Sequence, residues 1–482
     1  MRNRTAGSTM WKTLFLVVIL LVCGIAFSAE AVSAGTNEPD SQTESSGGKL
    51  SLIEKAPELI YAVRRYPKFY GDKNTVHGGI FERSYLFGDM WGVRDTLVDH
   101  GINIDIGVTQ VFQWNVSGGR DIGSRYNGSG DLWVNFDTGK MGLWPGGNIY
   151  LHAETYWGTS VQKGVGSLIP VNFDSMMPDA DKKGSSALSE FYLLQGLPGN
   201  LLFAIGKLDL ASLADTNAFA NNERTQFLNT SLVNNPMLGV FAPYTAAAAG
   251  LVWAAPNKKH TLLAIVNNNA ESAMTSGFNT LSMENTNFGT QYQFSPKIGG
   301  LPGNYRLIGS YTSKDATDYA TSNRLLWEEL VLGGLPTKTD NYAIMINFDQ
   351  YLYLKDEKTK VGWGIFGRGG WSPKNRNAID QFYSFGIGGK GLVIPRRESD
   401  SWGIAYAGSH FSSDFRGDLR TLGVSAEDFE HAFEAFYNIM VTPAIHLSLD
   451  AQYILDPFGA AVGKAGAGNH AFVLGSRLQL DF

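Results

Sequence analysis

Ile102-Asn103-Ile104-Asp105-Ile106-Gly107-Val108-Thr109-Gln110-Val111-Phe112-Gln113-Trp114 repeats with a period of two. Ile102, Ile104, Ile106, Val108, Phe112 and Trp114 hold alternate positions, broken only by Gln110, while Asn103, Asp105, Gly107, Thr109, Val111 and Gln113 fall between them. Neighbouring side chains on a strand point to opposite faces, so this spacing describes one long strand with an apolar and a mainly polar side. The C-terminus repeats it. Phe472, Leu474, Ser476, Leu478, Leu480 and Phe482 alternate with Ala471, Val473, Gly475, Arg477, Gln479 and Asp481. Two more such strands, Phe433 to Val441 and Ile445 to Tyr453, are separated only by Thr442-Pro443-Ala444. Strands of roughly 9 to 13 residues exceed the usual five or six of soluble sheets and suit a tilted bilayer crossing.

Alternation alone does not separate a membrane barrel from a soluble sandwich, because both have one apolar face. The rhythm of the connections helps decide. The turn at Thr442-Ala444 is tight and the stretch from Ile454 to His470 is long and rich in Gly and Ala, as in outer-membrane barrels. Gly196-Leu197-Pro198-Gly199-Asn200 and Gly300-Leu301-Pro302-Gly303-Asn304 repeat one tight-turn signal, with Pro-Gly suited to the centre of a type II turn. Both are expected to be periplasmic hairpins. No repeat of propeller-blade length is evident. About 380 residues after Ile102, at roughly 22 to 25 per strand with its share of the connections, give about 16 strands, with about 14 or 18 as the neighbouring even solutions. The expected fold is all-β, a transmembrane antiparallel β-barrel of about 16 strands with a short N-terminal helix before the first. In that helix Asp89 can cap the first turn, Val93 and Leu97 share a face, and Gly101 can take the left-handed position that ends it.

Composition agrees. Of 482 residues 44% are hydrophobic, 12% aromatic and 17% charged, and 56 are glycine, which excludes disorder as the main state and points to a large β-protein. Mean hydropathy is −0.11 and the unbroken apolar run lies at the extreme N-terminus, which excludes a polytopic helical membrane protein. A net charge of −6 offers no basic field for nucleic acid.

The N-terminus reads as an export signal over residues 1–34: Arg2, Arg4 and Lys12, then the apolar Leu14 to Phe27, then Val32-Ser33-Ala34 as the cleavage site. Cleavage there takes three of 39 basic and one of 45 acidic residues, leaving 36 against 44, or −8. The single cysteine, Cys23, leaves too, so disulfides, Cys-ligated zinc and cysteine nucleophiles are excluded; Val22 is a poor residue before a lipidated cysteine. Residues 35–85 form a linker, Ser- and Thr-rich at first, with a weak amphipathic helix at Leu52, Ile53, Ala56, Ile60 and Val63 interrupted by Pro57. Residues 86–482 are the barrel domain.

Leu86-Phe87-Gly88-Asp89-Met90-Trp91-Gly92-Val93-Arg94, followed by Leu97 and Gly101-Ile102, resembles the Gly-Asp-Trp-Gly-Gly-x-Arg opening motif of the bacterial carbohydrate-selective porins, the OprB family. Met90-Trp91-Gly92 stands where that family usually has Trp-Gly-Gly. Further matches are Asn115-Val116-Ser117-Gly118-Gly119, Gly206-Lys207-Leu208-Asp209, the run from Phe219 to Asn229, Phe385 to Leu392, and the closing Leu478-Gln479-Leu480-Asp481-Phe482. The resemblance implies a 16-stranded outer-membrane channel that passes sugars such as monosaccharides passively, without cofactor or metal, its terminal aromatic Phe482 read by the barrel-assembly machinery. Its partners would be small carbohydrates and outer-membrane lipid, as monomer or homotrimer. The alternation reaches a barrel with a polar lumen; sugar comes from the resemblance alone.

Lumen-facing polar residues are the chemistry available to such a channel, because charge on the lipid face costs roughly 2–4 kcal/mol at midplane. Tyr150, His152 and Glu154 alternate with Ile149, Leu151 and Ala153 and should point inward, either lining the solute path or forming a wall network. Lys207 and Asp209 share a parity with Phe203 and Ile205, which leaves constriction and solvated rim both open. The stretch from Asn221 to Asn235, with Asn222, Glu223 and Arg224, is too rich in Asn for a strand and suits a loop folded into the channel; an exposed surface loop is the alternative. Arg368 lies in the Gly-rich strand Val361 to Trp371 and must face the lumen if that strand spans. Trp402 and Tyr406 suit an interfacial aromatic girdle. No catalytic residue is assigned: His446 and Ser448 share a face, but such pairs arise by chance in strands. Competing functions are a general or other-solute porin and a soluble secreted β-protein that binds or cleaves glycans.

Overall fold

The computed structural model describes residues 75–176, 184–270, 272–276, 281, 283–319, 336–458 and 469–482. The expected signal peptide and the weak helix from Leu52 to Val63 lie outside the described residues.

Alternation becomes strands. In chain order they are β1 Ile102–Gly118, β2 Gly123–Asp137, β3 Gly147–Gly158, β4 Ser186–Leu197, β5 Leu201–Asp209, β6 Thr245–Ala254, β7 His260–Asn268 and β8 Thr286–Phe294. Then follow β9 Leu301–Thr312, β10 Asn341–Asp356, β11 Val361–Trp371, β12 Ile379–Lys390, β13 Ser401–Phe411, β14 Phe429–Thr442, β15 Ile445–Leu455 and β16 His470–Asp481. Each is antiparallel to its chain neighbours, and β1 pairs with both β2 and β16, which closes a sixteen-stranded barrel among the described residues. The closing register runs from Gly107 opposite Asp481 to Gly118 opposite Ala471, with a bulge between Asn115 and Ser117.

The faces follow the parity read in the sequence. In β1, Asp105, Thr109, Gln113 and Asn115 are buried, whereas Phe112 and Trp114 are exposed; in β16, Arg477, Gln479 and Asp481 are buried and Leu474 is exposed. Ile344, Ile346, Ile404 and Leu449 are exposed along other strands, so the outward surface is the apolar, lipid-facing one. Trp402 and Tyr406 alternate in step with Ile404 on that face.

Short turns gather at one end. They include Pro443-Ala444 between β14 and β15 and Pro198-Gly199-Asn200 between β4 and β5, where Gly199 has the positive φ of 76° that a type II turn asks of the residue after Pro. The hairpin between β8 and β9 is also there, but its turn is not the expected Pro-Gly. Gly299 and Gly300, at φ 59° and 83°, make the bend, since a tight hairpin wants positive φ at both central positions and Pro cannot supply it. Pro302 and Gly303 are already in β9, with Pro302 paired to Lys297.

The short helix before β1 is α1, Val93–Asp99. Its first turn is capped from upstream: Asp89 Oδ1 accepts from the Asp95 N–H at 2.8 Å, and Gly101 takes φ 83° after the last turn. This segment holds the end of the chain. Arg94 Nη2 donates to the Phe482 carbonyl at 2.8 Å, the Leu86 N–H to the Asp481 carbonyl at 2.8 Å, and the Phe482 N–H to Ile106 at 2.8 Å.

The barrel is not empty. Phe219, Phe227, Leu232, Met237 and Phe241, all from the connection between β5 and β6, pack against Ile308, Met345, Phe366, Phe382 and Phe436 on the inner wall. A second apolar cluster joins Leu210 to Trp133, Tyr150, Tyr192, Leu202, Ala248 and Leu263. Inward apolar wall residues, which the strict rule of a polar lumen does not foresee, are therefore the seat of a folded-in loop.

Candidate functional site

The β5–β6 connection, residues 210–244, enters the lumen. Asp209 starts it, its carboxylate accepting from the Ser212 N–H to cap a single helical turn at Leu210–Leu213; Asn229 likewise accepts from the Ser231 N–H to cap Thr230–Val233. Asn221, Glu223, Arg224, Asn229, Asn234 and Asn235 are all buried, so this stretch is an inward loop and not an exposed one.

Wall residues hold it by its backbone. Arg368 of β11, with a fully buried side chain, donates Nη1 to the Leu232 carbonyl at 2.9 Å, Nη2 to Val233 at 3.0 Å and to Ala220, and Nε to the Asp215 carboxylate at 2.9 Å. Asp215 also accepts from Asn347 Nδ2 at 2.6 Å and from the Asn235 N–H at 2.7 Å. Three strands further along the wall, the Glu434 carboxylate of β14 takes the N–H groups of Leu228 and Asn229 at 2.6 and 2.8 Å. Arg477 of β16 donates to the carbonyls of Glu223 and Gln226.

Arg224 reaches a third wall. Its Nη2 lies 2.7 Å from Asp131 Oδ2 of β2, and its guanidinium sits 4.6 Å from the centre of the Trp133 ring. Gly107 of β1 makes room for it, because a Cβ there would lie 3.2 Å from Arg224 Nη1. Trp133 also stacks on His152 at 4.6 Å. His152 Nε2 lies 3.0 Å from Asp131 Oδ1 and its Nδ1 3.3 Å from Glu190 Oε1, while Tyr244 donates to Glu154 Oε1 at 2.7 Å. Asp131, His152 and Glu154 offer ligand atoms within 4.8 Å of one another, the geometry of a possible cation site, but Arg224 already supplies a positive charge to Asp131. The arrangement is a network of charges spanning loop and wall, in which Asp131, Glu154 and Glu190 face Arg224 and His152.

A second connection, residues 159–185, interlocks with the first. The Phe173 N–H donates to the Leu228 carbonyl at 2.8 Å and the Thr230 N–H to Pro170 at 3.0 Å. Asp174, in a short 3-10 turn, accepts from Ser129 Oγ of β2 at 2.7 Å. Burial pushes its carboxyl up to about 7, against the opposing pull of that hydrogen bond and of Arg224.

The sequence candidates separate into distinct places. His152 and Glu154 join Arg224 through Asp131, and Tyr150 backs them, stacked on Tyr192 at 5.2 Å. Arg368 faces the lumen as expected. Lys207 does not: it lies on the outward face with Ile205, opposite the exposed Phe191 of β4, with Nζ donating to the carbonyls of Leu188, Ala273 and Thr275. Asp209 is the loop's cap and not part of the Arg224 network. Asp131, Trp133, Asp174, Asp215, Glu434 and Arg477 join the site without being among the sequence candidates. Of these, Arg477 was legible, since it falls at an inward position in the middle of a spanning strand. Ser448 Oγ, paired with His446 only by parity, accepts from Arg477 and Asn438.

A family model described as carbohydrate-selective porin, OprB family, matches residues 122–482. The chain belongs to the OprB family. The high-pH structure of OprB from Pseudomonas putida superposes with a TM-score of 0.71 at 18% identity, over 83% of this chain and 98% of that one. Its low-pH structure gives 0.51 at 16% identity, over the same shares. An uncharacterized protein of Aquifex aeolicus (strain VF5) is 35% identical over 127 residues, which is 24% of this chain and 38% of that relative's length. The OprB-like run Phe219 to Asn229 is the inward loop itself, and the run from Phe385 to Leu392 crosses the end of β12.

Proposed function

We propose that the chain is a passive outer-membrane channel for carbohydrates such as monosaccharides, narrowed where the β5–β6 loop meets the β1–β3 wall. The observation that carries this reading is the bridge from Arg224 to Asp131 beside Trp133, with Asn221, Asn222 and Glu223 in the same stretch. A sugar presents hydroxyls that donate and accept at once. A rim that mixes guanidinium, carboxylate and amide groups can replace part of its hydration, and the paired charges leave a neutral solute unpenalised. His152 and Glu154 fix the wall side of that rim, and Arg368 fixes the loop side. No step requires a cofactor. Phe482, locked at the closing seam, suits recognition of the last strand by the assembly machinery.

The test is single-channel conductance in planar bilayers, titrated with mono- and oligosaccharides. A channel must release what it binds, so affinities near millimolar, on the order of 4 kcal/mol, are expected. Glu223→Ala with Arg224→Ala should raise conductance and weaken sugar block together, because one constriction governs both. Unchanged conductance and block would refute the assignment. Equal passage of non-hydroxylated neutral solutes of the same size would favour a general porin.

A further inference from the structure

The end of the barrel that carries the short turns bears apolar surface for which transport has no use. In the segment before β1, Phe81 is 75% exposed, Phe87 59% and Trp91 98%. The β2–β3 turn adds Met141, Leu143 and Trp144, also exposed. The two elements are neighbours: Lys140 Nζ donates to the Val98 carbonyl of α1 at 3.3 Å, and a Cβ on Gly101 would lie 3.1 Å from Met141 Cγ. Scattered exposed apolar residues are ordinary, but a cluster of large ones from two adjoining elements marks a contact surface.

The backbone holds Trp91 in place. Met90 and Trp91 have φ of 52° and 61°, a left-handed pair that side chains of their size rarely adopt. The bend is fixed by the Met90 N–H to Phe87 carbonyl bond at 3.2 Å and by the Arg94 and Asp95 N–H groups on Asp89. Flexible packing would let so large a ring fold back, whereas this bend keeps it out.

The patch continues a surface already assigned to lipid. The Phe87 ring lies 5.1 Å from that of Phe482, and Phe482 extends the outward stripe of Leu474, Leu478 and Leu480 on β16. Trp and Phe at the end of a lipid-facing stripe suit the headgroup level, where an apolar ring body and a polar edge are both accommodated. We infer that the segment from Phe81 to Val93, with the turn Met141–Trp144, lies in the headgroup boundary of the periplasmic phospholipid leaflet and anchors the rim of the barrel to it. The occupant is phospholipid, because the surface is continuous with the lipid face.

The inference rests on the membrane-barrel reading, and the test separates the two. The full chain, with Cys23→Ser if the signal is retained, carries a nitroxide at one of four sites: Trp91→Cys, Phe81→Cys, Lys358→Cys in the exposed β10–β11 turn, or Ile404→Cys on the outward face. Each is reconstituted in phosphatidylcholine–phosphatidylethanolamine vesicles, and relaxation by oxygen and by a water-soluble nickel chelate is compared. The oxygen-to-nickel ratio at 91 and 81 should exceed that at 358 several-fold and fall below that at 404. A ratio at both sites equal to that at 358 would place the patch in water and overturn the inference. Low access to both reagents there would mean that protein covers the patch, and would overturn it too. A water-like ratio at 404 would instead sink the membrane reading itself.

Discussion

Arg368→Met should release the inward loop while leaving the barrel intact. The guanidinium is fully buried and serves Asp215 together with the carbonyls of Ala220, Leu232 and Val233, so its removal leaves a buried carboxylate without its cation and three carbonyls without this donor. Breaking a buried ion pair from one side costs about 3–5 kcal/mol, which shifts an in–out equilibrium of the loop by two to more than three orders of magnitude. Asp215 keeps Asn347 and the Asn235 N–H, which draws the expectation to the lower end. The strand ladder does not depend on Arg368, so heat-modifiable mobility and β-content should persist. In planar bilayers the variant should show larger, noisier conductance and at least tenfold weaker sugar block. Adding Asp215→Asn should recover part of the loss, because the stranded charge is gone. Conductance and block indistinguishable from the parent would refute the view that this arginine pins the constriction.

The remaining expectations concern the faces and the second loop. Ile104→Arg, two residues into β1 on its outward face, should lower outer-membrane yield by a cost of about 1 kcal/mol or less, because it lies near the interface, while Asn103→Arg on the lumen side should be tolerated; a lower yield for Asn103→Arg than for Ile104→Arg would mean that the register is wrong. Asp174 holds its proton to about pH 7 in the folded protein, above the usual carboxylate range. Its contribution to loop packing is therefore fully present below about pH 4, declines as pH rises, and is exhausted once pH passes the folded value. Protection of the Phe173 and Thr230 amides, corrected for intrinsic exchange, should fall over that window, and Asp174→Asn should flatten part of the fall. An unchanged pH profile in that variant would show that the carboxyl stays out of the linkage.

The barrel was legible because its physics is periodic. One lipid face and one lumen face per strand imprint a period of two on Ile102–Trp114 and His470–Phe482, and the first and last of these strands pair to close the barrel. The limits were local: Gly299-Gly300 outcompeted Pro302-Gly303 for the β8–β9 turn because the bend needs two positive φ values. Lys207 keeps the outward parity of Phe203 and Ile205, and a charge is tolerated there because the carbonyls of Ala273 and Thr275 cover it and that of Leu188 in β4 adds a third acceptor where lipid would give none. The inward loop has no period at all, since most of its anchors are backbone carbonyls and N–H groups that every residue owns. Its trace lies on the opposite wall. An arginine at an inward position of a spanning strand carries five donors, and water or a facing carboxylate on the wall can meet them only in an open lumen. Arg368 and Arg477 are both almost wholly buried, and both spend donors on loop carbonyls. A buried inward arginine flanked by glycines, as Gly367 and Gly369 flank Arg368, is thus the wall's side of a loop folded into the pore, and the Asn-rich stretch from Asn221 to Asn235 is the loop's side of the same contact.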